Sequence, residues 1–248
     1  MLTGAVIVAG GKGLRMGGDV RKQYLTLCGL PILIHTLRQF VSVPAIHRIW
    51  LVVPEEDLNF CTQLIREYVG WSDRLCLVAG GDTRQASVYN GLKAMDGSGV
   101  DTVLIHDAVR PFVPERLILA CIEAAEKTGA CIPVLPSVDT LKRVDPQSKR
   151  VIETLTRDHI RAVQTPQGFS FARIREIHEK AIAAGVTGTD DAGMMEAFDV
   201  PVYTIPGSRF NLKITTPDDL LLATALMTLP AYQETVESGK SPLQQTPR

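Results

Sequence analysis

Ala5-Val6-Ile7-Val8-Ala9-Gly10-Gly11-Lys12-Gly13-Leu14-Arg15-Met16 begins with an unbroken apolar run and turns at once into glycine. A run of that kind reads as a strand buried on both faces, as in a parallel sheet. The glycines leave backbone amides open to an anion because no Cβ shields them, and Arg15 and the later Lys22 add full charges. A plain turn would use the same glycines. Two nucleotide fingerprints fail: a dinucleotide loop needs glycine where Met16 stands, and a P-loop needs Ser or Thr where Gly13 follows Lys12.

Similar apolar runs recur at 49–53, 75–78, 102–105 and 131–135. Helical stretches lie between them at 31–41, 55–69, 82–95 and 114–128, the last with Pro114 at its start and Gly129 just past its end. This alternation predicts an α/β fold, a Rossmann-like and mostly parallel sheet with helices on both faces. Ligands of such sheets bind outside the carboxyl ends of the strands. After Pro136 the rhythm breaks into short extended pieces at 139–144, 151–155 and 162–165 around the turn Asp145-Pro146-Gln147-Ser148, which predicts an inserted β-arm over about 137–165. Helices resume at 171–184, with Ile174, Ile177, Ala181 and Ile182 on one face and Gly185 as the stop, and at 217–227. The 248 residues correspond to one large domain over 1–229, and the Gln-, Glu-, Ser- and Pro-rich stretch 230–248 is expected to be a flexible tail.

Composition narrows the function classes. With 45% hydrophobic residues and mean hydropathy +0.09 the chain can build a core. Its 26 basic and 27 acidic residues sum to a formal charge of −1, which offers no global field for nucleic acid or an anionic membrane. Any phosphate site must therefore be local. Five cysteines, odd in number and without a CxxC pair, argue against a disulfide framework or zinc ribbon and for a reducing cytoplasm. No apolar run approaches the 18 or so residues of a membrane span, and the first one lacks the basic flank of a secretory leader.

Two strand ends carry chemistry. After 75–78 comes Gly80-Gly81-Asp82-Thr83-Arg84-Gln85-Ala86-Ser87, where Asp82 can cap the next helix while Arg84 and Ser87, three apart, face either a ligand or solvent. After 102–105 comes His106-Asp107-Ala108-Val109-Arg110-Pro111, where Asp107 either holds Mg²⁺ beside a triphosphate or pairs with Arg110. His106 reads as a hydrogen-bonded neighbour, since no GxSxG nucleophile accompanies it. His178-Glu179 leads to Ile182 rather than a second histidine, so it is not a zinc HExxH.

AGGKGLRM with the following KQYL, GGDTRQASV, HDAVRP, VDTLKRV, TRDHIRAVQTPQGF, TDDAGMME and NLKITTPDD stand in an order and at intervals that resemble the 2-C-methyl-D-erythritol 4-phosphate cytidylyltransferase family, from Ala5 to about Leu229. The resemblance implies that a phosphate oxygen of methylerythritol phosphate attacks the α-phosphorus of CTP, with Mg²⁺ required and pyrophosphate leaving. It also implies a cytoplasmic homodimer whose arms reach into each other's sites. Carried over by motif, Arg15, Lys22, Arg157 and Lys213 are catalytic, the first two at the transferring phosphorus and the last two positioning the acceptor. Ala9, Gly10, Gly11, Gly81, Asp82, Arg84, Ser87 and Ala108 match nucleotide-binding positions. Arg110, Thr140, Arg157, Thr165 and Lys213 match substrate-binding positions, with Arg157 and Thr165 on the arm, and Asp107 matches the metal position.

Ala9-Gly10-Gly11 in place of Ala-Ala-Gly, and Ala108-Val109 in place of Ala-Ala, resemble instead the ribitol 5-phosphate cytidylyltransferases, whereas Thr140-Leu141-Lys142 and Arg84 with Ser87-Val88 resemble the methylerythritol enzymes. At this level the acceptor stays open between the two polyol phosphates, and a noncatalytic nucleotide-binding module stays open beside both. Arg21 stands where the motif carries proline. It is expected to add charge near the triphosphate and to loosen that turn.

Overall fold

A computed structural model describes residues 1–10 and 21–229. Gly11 and Arg15 in the first loop, and the tail 230–248, lie outside the described residues. In chain order the elements are β1 (Thr3–Val8), β2 (Thr26–Leu27), β3 (Leu30–Pro31), α1 (Ile32–Val41), β4 (Ile46–Val53), α2 (Leu58–Tyr68), β5 (Leu75–Ala79), α3 (Arg84–Ala94), β6 (Thr102–Asp107) and α4 (Glu115–Thr128). They continue with β7 (Ala130–Pro136), β8 (Lys142–Val144), β9 (Val151–Thr154), β10 (Arg161–Val163), β11 (Gln167–Ser170), α5 (Phe171–Ala184), α6 (Asp191–Ala197), β12 (Tyr203–Pro206) and α7 (Pro217–Thr228).

All six residues of β1 are buried, as its unbroken apolar sequence demands of a central strand. It pairs in parallel with β4 on one side and β6 on the other, and β4 pairs in parallel with β5. The period of two divides its side chains between the layers: Ala5 and Ile7 pack with Leu33, Leu37, Cys61 and Ile118, and Val6 packs with Val88, Leu92, Ile174 and Met195. The doubly covered, mostly parallel sheet expected from the alternation is thus the observed one.

Beyond β6 the sheet departs from strict alternation. β11 runs antiparallel between β6 and β7, and β12 returns parallel on the far side of β7. Neither strand was expected from the sequence. β11 contains Gly168, whose missing Cβ lets α4 approach, since a methyl there would stand 2.9 Å from the Cys121 carbonyl oxygen and 3.0 Å from Ala125 Cβ. The seven-residue α6 was likewise too short to show a period.

Several other expectations need correction. The third extended piece does not belong to the arm: β10 pairs with β7 and extends the main sheet, leaving β8 and β9 as a separate two-stranded ladder. Residues 55–57 form a 3-10 turn ahead of α2 rather than its first turn. On α5, Ile174, Ile177 and Ala181 are buried, but Ile182 is 52% exposed, at the edge of the face rather than in it. Gly129 and Gly185 end their helices as expected, at φ of 81° and 66°, left-handed values that glycine adopts without strain.

A third apolar cluster of Leu27, Ile32, Val109, Phe112, Ile214 and Ala223 ties α7 to the segment after β6. A capping box at Thr216 and Asp219, with Pro217 behind it, fixes where α7 begins. Together they set the position of the residues just before it, Asn211 to Ile214, against the carboxyl end of β6.

Candidate active site

The order of strands reverses between β1 and β6, because β4 and β5 continue from one edge of β1 while β6 flanks the other. A crevice opens at the carboxyl ends where the order reverses. Val8 pairs with Asp107 at that level. The Ala9 amide donates to the Val52 carbonyl at 2.7 Å, the Ala108 amide to the Val8 carbonyl at 3.0 Å and the Gly80 amide to the Val53 carbonyl at 2.7 Å, so three motif loops lie side by side. Ala108 is fully buried, and its carbonyl accepts from Thr36 Oγ1 at 2.7 Å.

The Gly80 to Arg84 loop is shaped from within by Ser87. Its hydroxyl donates to the carbonyls of Thr83 (2.9 Å) and Gly81 (3.2 Å) and accepts from the Gly81 amide (3.1 Å). A Cβ on Gly10 would stand 2.8 Å from Ser87 Oγ, so glycine at that position lets the first loop rest on the second. Ser87 is therefore buried beneath the two loops and shapes them from within. The expected Asp82 cap is also corrected: Thr83 is the N-cap of α3, accepting from the Ala86 amide at 3.0 Å, and Asp82 is left exposed at the loop tip.

Asp107 sits at the centre of a charge cluster. Lys213 Nζ lies 2.7 Å from its Oδ2, Arg84 Nε 3.2 Å from its Oδ1, and Arg110 Nε 3.7 Å from its Oδ2. Burial alone would raise the Asp107 carboxyl, but Arg84, Lys213 and Arg110 together hold it well below the usual carboxylate range. Of the two alternatives read for Asp107, the Arg110 pair is present, as one of three. Arg84 also reaches back to Asp191, Nη1 to Oδ2 at 2.8 Å, and this fully buried carboxylate faces His178 Nε2 at 3.4 Å. Burial pulls the Arg84 guanidinium down, while Asp191 and Asp107 raise it above its ordinary value. Arg84 is thereby fixed between two carboxylates, with its side chain half-buried.

Thr165, expected on the arm, lies instead against Asp107: it is 5% exposed and its Oγ1 accepts from the Asp107 amide at 3.2 Å. The same Oγ1 lies 3.0 Å from His106 Nδ1, while His106 Nε2 lies 3.2 Å from the Arg110 carbonyl. A carbonyl only accepts, so Nε2 carries the proton and Nδ1 accepts from the threonine. Burial pushes the His106 imidazole down to about 3, and it stays neutral across the physiological range. Fully engaged, it is a structural neighbour of Asp107, as the sequence suggested. Asn211 completes the wall, donating from Nδ2 to the Thr165 carbonyl at 2.7 Å, while its own carbonyl accepts from Arg110 Nη1 at 2.9 Å.

Because the unfolded histidine takes up a proton below about pH 6.5 and the buried one does not until about 3, the unfolded state binds more protons in that window. Stability is therefore expected to fall as pH drops from about 6.5. Urea unfolding of the parent and His106→Gln between pH 7 and 4.5 should show a shallower fall in the variant. Parallel slopes would contradict a neutral buried His106.

Lys22 sits on a 3-10 turn, Lys22–Tyr24, whose Gln23 is 1% exposed and donates to the Ala9 carbonyl at 2.6 Å, tying the turn to the end of β1. Arg157 stays on the arm side. It donates to the Val138 carbonyl at 3.0 Å and lines an open cavity of about 540 Å³ with Arg161, Arg209, Asp158 and Ser137. Thr140 is exposed on the loop leading into β8. The structure thus unites Ala9, Gly10, Gly81, Arg84, Ser87, Asp107, Ala108, Arg110, Thr165 and Lys213 around one crevice, and leaves Arg157 and Thr140 with the arm.

Sequence reading assigned no role to Asp191, His178, Arg161 or Arg209. Asp191 was visible only as part of TDDAGMME, and nothing local links it to Arg84. Three arginines on one cavity suit an anion with several oxygens, such as a phosphate monoester. Among the described residues no three His, Cys, Asp or Glu side chains gather as a metal cage. No helix of the described residues is long and apolar enough to cross a membrane.

Residues 3–229 match a family model described as 2-C-methyl-D-erythritol 4-phosphate cytidylyltransferase. Proteins of that name from Geotalea uraniireducens and Syntrophus aciditrophicus are 42% and 43% identical to the chain over 224 and 223 residues. Each match covers 90% of this chain, with 95% and 94% of the relatives. The crystal structure of 4-diphosphocytidyl-2C-methyl-D-erythritol synthase from Anaerococcus prevotii superposes with a TM-score of 0.81 at 34% identity, covering 92% of this chain and 96% of that one. A 2-C-methyl-D-erythritol 4-phosphate cytidylyltransferase from Thermus thermophilus gives 0.74 at 33% identity over 92% and 100%.

Proposed function

The chain belongs to the 2-C-methyl-D-erythritol 4-phosphate cytidylyltransferase family, and from that premise we propose that the crevice at Asp107 transfers CMP from CTP to methylerythritol 4-phosphate. The observation that carries this reading is the convergence of Arg84, Arg110 and Lys213 on one ionised carboxylate at the switch point of the sheet. A phosphate oxygen of the acceptor forms a bond to the α-phosphorus, the bond from that phosphorus to the bridging oxygen breaks, and pyrophosphate leaves. The product is 4-diphosphocytidyl-2-C-methyl-D-erythritol.

The nucleophile is already an anion, so no general base is needed, in keeping with a His106 whose ring nitrogens are both engaged. What the protein must supply is alignment of two mutually repelling anions and neutralisation of charge at the reacting phosphorus. Lys22, held at the end of β1 by its neighbour Gln23, serves the transferring phosphorus, together with Arg15 and the amides of the first loop. Lys213 positions the acceptor phosphate, its flexible ammonium suiting oxygens that move during transfer. The Ala9-Gly10 and Gly81-Asp82 backbones border the nucleotide, and Arg110 and Thr165 border the substrate side.

Mg²⁺ takes hard oxygen ligands and commonly rests on one carboxylate with substrate phosphates and water, a donor set that the ionised Asp107 fits. When bound it neutralises triphosphate charge. Asp107 would hold it.

Homodimerisation is part of the same reading. The β8 and β9 ladder exposes Val144 (43%), Val151 (53%) and Ile152 (54%), and Val138 at its base is 64% exposed. An isolated two-stranded ladder is marginal in water, so an arm of this kind needs a partner surface. Arg157 and Thr140 on the arm then serve the neighbour's crevice. The five cysteines remain thiols, which supports a cytoplasmic setting.

The test is pyrophosphate release from CTP with methylerythritol 4-phosphate or ribitol 5-phosphate, each with and without Mg²⁺. Release with methylerythritol phosphate alone, and only with the metal, is expected. Release with ribitol phosphate alone would move the acceptor assignment.

A further inference from the structure

The 3-10 turn that carries Lys22 is bracketed by one carboxylate. Arg21, the residue before Lys22, places Nε 3.2 Å from Asp57 Oδ2 and pairs through Nη2 with Glu56. Tyr24, two residues after Lys22, donates its hydroxyl to the same Asp57 Oδ2 at 2.8 Å. The Tyr24 ring stands edge-on to Phe60 at 5.1 Å, and its hydroxyl lies 3.3 Å from Cys61 Sγ, so the tyrosine is anchored along the first turn of α2. Between these two tethers Gln23 turns inward to the Ala9 carbonyl. The expectation that Arg21 adds charge near the triphosphate is corrected by this geometry: its guanidinium is committed to Glu56 and Asp57.

We propose that Arg21 is a positioning residue for Lys22, its ion pairs with Asp57 and Glu56 forming a latch that fixes the turn from which the Lys22 side chain reaches the transferring phosphorus. The latch deepens the reading of Lys22 as the transition-state cation and rests on it. Arg21 has φ of −63° and ψ of 137°, and its side chain caps nothing. Its backbone therefore needs no help from the guanidinium to enter the turn. What the guanidinium adds is attachment of the turn to the 3-10 turn that leads into α2. The Arg21 side chain is 26% exposed and that of Asp57 18%, enough shielding for the pair to be more than a screened surface contact. Small displacements of a charged group at a reacting centre reduce turnover out of proportion to their effect on stability.

Arg21→Ala, Lys22→Ala, the double variant and Arg21→Pro test this in steady-state kinetics with melting temperatures alongside. Arg21→Ala is expected to lower kcat by about three- to tenfold, with KM for CTP within about twofold of the parent and the melting temperature lowered by no more than about 2–4 °C. In the Lys22→Ala background the same change should have no further effect, because a residue that acts through Lys22 has nothing left to position. Arg21→Pro should recover most of the lost kcat, since a proline ring locks φ near the −65° that Arg21 already adopts and stiffens the turn without the ion pair. Amide exchange over residues 21–25 should quicken in Arg21→Ala and return toward the parent rate in Arg21→Pro, a readout independent of turnover. Parental kcat in Arg21→Ala beside a crippled Lys22→Ala would overturn the latch and leave the Lys22 reading standing. Parental kcat in Lys22→Ala would overturn that reading and the positioning role with it, and a kcat loss in the double variant that multiplies the two single losses would overturn action through Lys22.

Discussion

Lys22→Ala is expected to lower kcat for cytidylyl transfer by about two to three orders of magnitude, the scale seen when one charge-stabilising group is removed from a transition state. Its effect should fall on kcat and kcat/KM together, because charge accumulates on the equatorial and leaving oxygens as the bridging bond breaks, later than substrate binding. The turn itself should survive. Gln23 still reaches the Ala9 carbonyl and Tyr24 still reaches Asp57, so the melting temperature is expected to match the parent closely. Single-turnover chemistry under saturating CTP and methylerythritol phosphate separates the two possibilities. An undiminished chemical rate would remove Lys22 from the reacting centre, while a rise in KM alone would make it a ground-state contact.

Mixing two inactive variants should restore about a quarter of parental activity if the arm completes the neighbour's site. Arg157→Ala removes the arm's contribution and Lys22→Ala removes the crevice's. After random subunit exchange about half the dimers are mixed, and each mixed dimer holds one site with both defects and one with neither. Sites served within one chain would show no recovery, since every chain would then carry its own lesion. The placement of Arg157 motivates the experiment: it lines a cavity with Arg161 and Arg209 on the arm side, while Lys213 and Arg110 ring Asp107. Subunit exchange must first be demonstrated with tagged chains. With exchange proven, an activity that stays at the sum of the two variants would refute a shared site.

Fold and site were legible in the sequence to different depths. Buried parallel strands announce themselves as unbroken apolar runs, and β1, β4, β5, β6 and β7 all lie where such runs stand. Short or glycine-bearing pieces carry no such signal, and β11, β12 and α6 depend on the surfaces they fill. Ile182 shows the limit of periodicity: four residues share a helical face in sequence, yet the neighbours of α5 cover only three of them.

The motifs named most members of the site, but their roles depend on partners distant along the chain. Ser87 was read as facing either a ligand or solvent, and it shapes the loop from beneath, because Gly81 and Thr83 present backbone groups to it at hydrogen-bonding distance. Thr165 was assigned to the arm by its place in the chain, and the pairing of β11 with β6 carries it to Asp107. Arg21 was read as a charge for the triphosphate, and the position of α2 turns it to Asp57.

The sequence alone carried the alternating long apolar strands and periodic helices, from β1 to β7, and the places where glycine or a charge follows a strand. Those properties are local, set by side-chain periodicity and backbone permissiveness over a few residues. Tertiary structure alone decided which charges meet. Arg110 finds the Asn211 carbonyl 101 residues away, and Arg84 is divided between Asp107 and a buried Asp191. Electrostatic energy depends on separation in space and on the burial that removes water, and neither can be read from distance along a chain.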